Sequence, residues 1–484
     1  MNYGQFFNMI PEASLIAALI VVFIADFILH KNEKRHQALV LLTTALMAAQ
    51  AMVCMMTMEP SSAFSGMYVT TASTGMMKAI LTMGTIIVVI MSKPWVETTK
   101  YAGEYYMLML STLLGMYMMM SSGHFLLFFL GLEMASVPMA CLVAMDKWKR
   151  HSAEAGAKFI LTATFSSGVM LYGISFLYGA LGTLYFNDMV PRLSNAMDIS
   201  SRLPMLIIGF VFFFSGLGFK ISLVPFHFWT ADTYQGAPTP VTAYLSVISK
   251  GAAAFTLAVI LMKVFAPMLQ YWQYLLYIVI VLSITIANLF AIRQGELKRF
   301  MAFSSISQAG YIMLAVVGNS AMGMTALMYY TLIYIVANMA VFTVINIVEQ
   351  KNGGTTEMAS YNGFYATNPK LAFLMTVALF SLAGIPPFAG MFSKFFVFMA
   401  AAEQGSYWAY VVLFVALVNT VVSLYYYLLI VKAMFINKAD HPLPTFKSDC
   451  YTRLALAICT VGIIMFGVCP YIFNWIESLS INSF

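Results

Sequence analysis

The chain has 484 residues, 61% of them hydrophobic and only 9% charged, with a mean hydropathy of +0.84. Apolar runs of about 20 residues, long enough to cross a bilayer core as helices, recur from end to end and exclude a soluble globular protein. The net charge of +6 forms no basic stripe for nucleic acid, and five cysteines without a Cys-x-x-Cys pair suggest neither a disulfide framework nor a metal site.

Apolar blocks between polar breaks predict fourteen transmembrane helices: 10–30, 38–58, 73–92, 104–121, 124–145, 155–180, 203–227, 239–265, 271–292, 300–318, 323–348, 369–400, 407–435 and 453–475. The first lacks a basic region, short apolar core and cleavage site, so it reads as a retained helix. With the N-terminus outside, inward loops and the span ends beside them hold 17 of the 25 lysines and arginines, which satisfies the positive-inside rule and places both termini on the outer side. The five cysteines and 39 methionines lie mostly within spans, as packing residues. No linker divides the chain, so 1–484 reads as one membrane domain, with helices one to three over 1–103 and a last helix over 453–475.

Charges within spans are the exceptions, because one near the bilayer centre costs about 2.5–3.5 kcal/mol on insertion scales. In chain order, Lys78 and His124 lie near the outer ends of their spans, where snorkelling suffices. Glu133, in "FFLGLEMASVP", is flanked by Gly131, Ser136 and Pro138, which permit close helix approach, and reads as a proton or ion carrier. Glu154 and Lys158 are spaced i, i+4 and share a helix face.

Span seven runs into "SLVPFHFW", with Lys220 five residues before Pro225 and seven before His227, a relay candidate. Asp232 follows in an inward loop, where it can cap or pair with a base. Lys250 sits in "SVISKGAAAF", span ten offers Ser304, Ser305, Ser307, Gln308 and Tyr311 at helical spacing, and span twelve carries "SLAGIPPFAGMFSKFF" with Lys394.

Proline frees carbonyls in the preceding turn, and in lipid these need partners, so broken helices seven and twelve imply a polar interior. They lie five helices apart, an odd number, so units of that length run in opposite directions. The expectation is two inverted five-helix repeats, over 104–265 and 271–435. The chain has no glycine-rich nucleotide loop, no heme or iron–sulfur ligand spacing and no supported nucleophile. Its chemistry reads as proton movement.

The segments "GLGFKISLVPFHFWTADTYQGAPTPV", "LKRFMAFSSISQAGY", "SLAGIPPFAGMFSKFF" and "SLYYYLLIVKAMF" resemble the antiporter-like membrane subunits of proton-pumping NADH-quinone oxidoreductase, respiratory complex I, over nearly the whole chain. The likeness is to the subunit N family: there is no long C-terminal extension, as in subunit L, and span twelve bears a lysine where subunit M has glutamate. The resemblance implies an all-α polytopic membrane protein and a proton path through Glu133, Lys158, Lys220, Lys250 and Lys394, with Glu154, His227 and Gln308 in support. It implies a translocase subunit without its own redox centre in a bacterial inner membrane. Its partners would be other antiporter-like and small helical subunits, and NADH, FMN, iron–sulfur clusters and quinone would belong to partner subunits. Two departures stand out: Gln308 replaces a frequent histidine, which favours a water-orienting role there, and Ala231 replaces a common proline. Alternatives are a multi-subunit cation/proton antiporter, a related hydrogenase or ferredoxin-linked complex, and a structural wedge, against which the five buried charges argue.

Overall fold

The computed structural model describes residues 3–438 and 442–481. Apart from a short antiparallel hairpin, Ser61–Ala63 with Tyr68–Thr70, the described residues form helices joined by loops. The principal helices are α1 (Ile10–Leu29), α2 (Arg35–Met56), α3 (Ala72–Val96), α4 (Ala102–Met120), α5 (Phe125–Val143) and α6 (Arg150–Leu181). Then come α7 (Phe186–Met197), α8 (Leu203–Ile221), α9 (Phe228–Gly236), α10 (Thr239–Val264), α11 (Leu269–Ala291) and α12 (Leu297–Val317). The series closes with α13 (Ala321–Lys351), α14 (Pro369–Ala383), α15 (Ala389–Ala402), α16 (Tyr407–Phe435), α17 (Cys450–Val468) and α18 (Tyr471–Ile481). Several start on a side-chain cap: Thr71, Glu296, Ser320 and Ser406 accept the backbone N–H of Thr74, Arg299, Gly323 and Ala409.

Twelve helices among the described residues are long and apolar enough to cross a membrane, which makes this a multi-pass membrane protein. Two expected spans differ from those twelve. Expected span four corresponds to α4, whose Glu104, Tyr105, Tyr106 and Tyr117 dilute its apolar run, and expected span twelve is divided into the shorter α14 and α15.

The centre is built from α3, α10, α12 and α13. The most apolar stretches of α12 and α13 are wholly buried and those of α3 and α10 are each 89% buried, against 22% for the first span. The outer helices instead turn large apolar side chains such as Phe23, Phe27, Phe414 and Val461 outward, as suits lipid or partner contact rather than water.

Both expected helix breaks are present and share one hydrogen-bond pattern. α8 ends at Ser222 (φ 68°), whose N–H returns to Gly218 O and Phe219 O, and Leu223 N–H also bonds Gly218 O at 2.8 Å. α14 ends at Gly384 (φ 90°), whose N–H returns to Phe380 O and Ser381 O, with Ile385 N–H bonding Phe380 O at 3.0 Å. Prolines follow each end, and the chain resumes as α9 and α15. Left-handed caps thus satisfy carbonyls that the prolines would otherwise orphan in an apolar medium. A third irregularity lies in α10, where Leu245–Ser249 forms a π-helical turn immediately before Lys250.

Candidate functional site

Lys220 occupies the last turn of α8, 4% exposed, and donates to Ser136 Oγ at 2.8 Å and Ala135 O at 3.5 Å on α5. Glu133 lies three residues before Ser136 on α5, half-buried, and its Oε1 is buried without a hydrogen-bond partner. Among the described residues the two form no ion pair within 4.0 Å, and the Ser136 hydroxyl that Lys220 bonds donates in turn to Leu132 O at 2.6 Å. α4 and α5 approach closely beside Glu133: a Cβ on Gly131 would meet Met119 N at 2.5 Å and one on Gly115 would meet Ala135 N at 2.4 Å.

Lys250, 1% exposed, follows the π turn of α10 and donates to Ser305 Oγ on α12 at 2.7 Å. The Ser305 hydroxyl donates to Ala302 O at 2.8 Å and lies 3.3 Å from the Tyr234 hydroxyl, while the Tyr234 ring centroid stands 5.3 Å from the Lys250 amine. One turn further along α12, Gln308 joins two tyrosines. Tyr330 of α13 donates to Gln308 Oε1, and Gln308 Nε2 donates to the Tyr427 hydroxyl of α16 at 3.2 Å, which also bonds Ser304 at 2.6 Å.

Lys394 of α15 donates to Ala383 O, the last carbonyl of α14, at 2.9 Å, with the Tyr311 ring centroid 5.3 Å from its amine. It shares a cavity of about 10 Å³ with Gln308, Tyr330, Tyr334 and Ser393, at the lower limit for one water. The polar face of α12 thus runs from the surroundings of Lys250 to those of Lys394. Tyr234, Tyr330 and Tyr427 were absent from the sequence-based candidates, since only packing shows what their hydroxyls meet.

Lys158 departs from expectation. Its spacing from Glu154 does produce a pair at 2.8 Å, but the Lys158 side chain is 46% exposed and Glu154 52%. The face of α6 that carries them is outward, so Lys158 belongs to a surface cluster rather than the buried row. There it also reaches Asp232 at 2.8 Å, and Asp232 binds Arg299 at 2.8 Å. Asp232 lies on the short helix α9, not in a loop. The Lys158 ammonium bonded to it, with Arg299 on its other oxygen, holds its carboxyl below the usual carboxylate range against partial desolvation.

His227 precedes α9 at the break, nearly buried against Phe228, with Nδ1 lacking a hydrogen bond. It lines a cavity of about 490 Å³ with Pro225, Phe290, Arg299 and Phe303. His124 accepts the Leu126 N–H through Nδ1 at 3.0 Å and caps α5. Lys78 does not snorkel: its side chain is wholly buried against Glu12 at 2.6 Å. Of the cysteines, Cys54 and Cys459 are buried as expected, whereas Cys141 and Cys450 are exposed on outward helix faces.

Residues 122–420 match the family described as NADH:quinone oxidoreductase/Mrp antiporter, TM. The chain is 55% identical over 487 aligned positions to NADH-quinone oxidoreductase subunit N of Phocaeicola vulgatus, covering 99% of this chain and 100% of the relative. It is 48% identical to the subunit N of Azobacteroides pseudotrichonymphae, covering 99% of each. Among solved structures it is similar to a chain of respiratory complex I from Thermus thermophilus with bound aureothin, with a TM-score of 0.79 at 29% identity over 96% of this chain and 98% of that one. A chain of the Mrp complex from Dietzia sp. has a TM-score of 0.85 at 19% identity over 100% and 98% of the two chains, a likeness of fold.

Proposed function

The chain belongs to the NADH:quinone oxidoreductase/Mrp antiporter membrane family, and from that premise we propose that it is a proton-translocating, subunit N-type component of an NADH-quinone oxidoreductase. The observation that carries this reading is the row of Lys220, Lys250 and Lys394. Each is at most 4% exposed, and each donates to a neutral oxygen rather than a carboxylate. A buried amine facing a hydroxyl or carbonyl can hold a proton and give it up, and intramembrane ionisable groups mark proton routes.

On this reading Glu133 and Lys220 form the acid–base couple at one end, with Ser136 holding the amine. Lys250 exchanges a proton through the Ser305 and Tyr234 hydroxyls. Gln308 does not titrate; its amide fixes the orientation of Tyr330 and Tyr427 and of a water beside Lys394. His227 serves at the α8 break, and Lys158, Glu154 and Asp232 form a charged cluster on the surface beside the path.

The paired breaks at Ser222 and Gly384 support inverted halves over 104–265 and 271–435, between the leading helices and the last one. The basic loops support a bacterial inner-membrane orientation with both termini outside. NADH, FMN, iron–sulfur clusters and quinone fall to partner subunits, and neighbouring antiporter-like and small helical subunits flank this chain.

The test is NADH-driven proton uptake by the assembled complex in sealed vesicles, with Lys220→Ala beside the unmutated protein. Intact assembly with pumping and NADH oxidation both reduced is expected. Unchanged rates in both would overturn the proposal, as would cation-dependent proton exchange that needs no electron donor.

A further inference from the structure

A cavity of about 720 Å³ opens between the first turns of α14 and α17. Lys370, Lys447 and Arg453 line one end, and Leu374, Leu456 and Val461 continue the wall along the helices. The three cations are exposed, none is ion-paired among the described residues, and no Asp or Glu lines the cavity. Nearby Asp449 is instead engaged with Lys93 at 3.2 Å.

The rim is held in place. Asn368 donates to Pro444 O at 3.2 Å and accepts Phe446 N–H at 3.2 Å, and Thr445 donates to Thr367 O at 3.1 Å. Arg453 Nε is fixed on Ser448 O at 3.1 Å, which leaves its terminal nitrogens for another acceptor. From Arg453 to Val461 the groove follows α17 for about 12 Å at the helical rise. Val461 is 52% exposed on the outward side of that helix, so the groove is open to the surrounding lipid.

Basic residues at this end of the spans are expected from topology alone. Their convergence on one apolar groove is not. We propose that the groove binds an anionic phospholipid, its phosphate among Lys370, Lys447 and Arg453 and an acyl chain along Leu374, Leu456 and Val461. The ligand chemistry follows from a triple positive charge without a counter-charge in the cavity lining among the described residues, joined to an apolar slot in a membrane-embedded face.

The experiment uses the intact complex in nanodiscs containing phosphatidylglycerol or phosphatidylcholine, each with a photoactivatable acyl chain, and maps the labelled peptides. Phosphatidylglycerol should label α14 and α17. Labelling should fall on the order of 100-fold in the triple variant Lys370→Gln, Lys447→Gln, Arg453→Gln, since each cation near a membrane surface contributes severalfold to anionic-lipid affinity. Leu374→Trp with Val461→Trp keeps the charges but fills the slot, and should also remove the labelling. Equal labelling by both lipids would overturn the proposal. So would full labelling in either variant, displacement by millimolar inorganic phosphate, or protection of the groove by a neighbouring subunit.

Discussion

Lys78 and Glu12 meet at 2.6 Å between α3 and α1, and neither side chain reaches the surface. Tyr68 donates to the second oxygen of Glu12 at 2.9 Å, and the Lys78 amine lies 5.4 Å from the Tyr117 ring centroid. Removing one partner would leave the other charge buried and alone, at a cost of about 3–5 kcal/mol. Lys78→Met should therefore lower the thermal inactivation temperature of the assembled complex, and adding Glu12→Gln should restore part of it. Additive losses in this double-mutant cycle would show that the pair is not coupled.

The surface cluster gives a pH prediction. Asp232 is bonded to Lys158 and Arg299 at 2.8 Å each, and its carboxyl is held below the usual range. A depressed folded value means that the contribution is complete above the unfolded value, about 4, and lost only as pH falls through the lowered one. The ratio of pumping rates between Asp232→Asn and the unmutated protein should then stay constant over about pH 6–8. A ratio that changes within that window would place a titration there and contradict the assignment.

What was legible in the chain follows from the range of each interaction. Apolar runs and the prolines at 225, 386 and 387 are local, so the helical architecture and both breaks could be read directly. The buried row Lys220, Lys250 and Lys394 was legible because a lysine in an apolar block is a local anomaly. Exposure was not: Glu154 and Lys158 share a face, but only packing decides that the face turns outward. The pairing of Lys78 with Glu12 joins residues 66 positions apart, and no local pattern announces it. Tyr234, Tyr330 and Tyr427 were hidden for the same reason, since a tyrosine in a membrane helix acquires a role only from what its hydroxyl meets.

Ser305 Oγ accepts a hydrogen bond from Lys250 at 2.7 Å and lies 3.3 Å from the Tyr234 hydroxyl. A hydrogen bond to a charged group contributes about 1.5–3 kcal/mol, so Ser305→Ala should slow pumping by about tenfold or more if this exchange limits turnover. Ser305→Thr retains the hydroxyl and should retain most of the rate. Equal defects in the two variants would point to packing on α12 rather than to proton exchange.

Gln308 separates orientation from titration. Its amide accepts from Tyr330 and donates to Tyr427, so Gln308→Leu takes the acceptor from the buried Tyr330 hydroxyl, at about 1–3 kcal/mol, and leaves Tyr427 only its bond to Ser304. Gln308→His can donate from one ring nitrogen and accept at the other, which satisfies both tyrosines while adding a group that titrates near neutral pH. If Gln308 only orients its neighbours, the leucine variant should lose pumping and the histidine variant should keep it with the pH profile of the unmutated protein. A histidine variant that pumps but acquires a new titration near its own pKa would mean that protons pass through position 308 itself. The amide would then be a bypass rather than a positioning device.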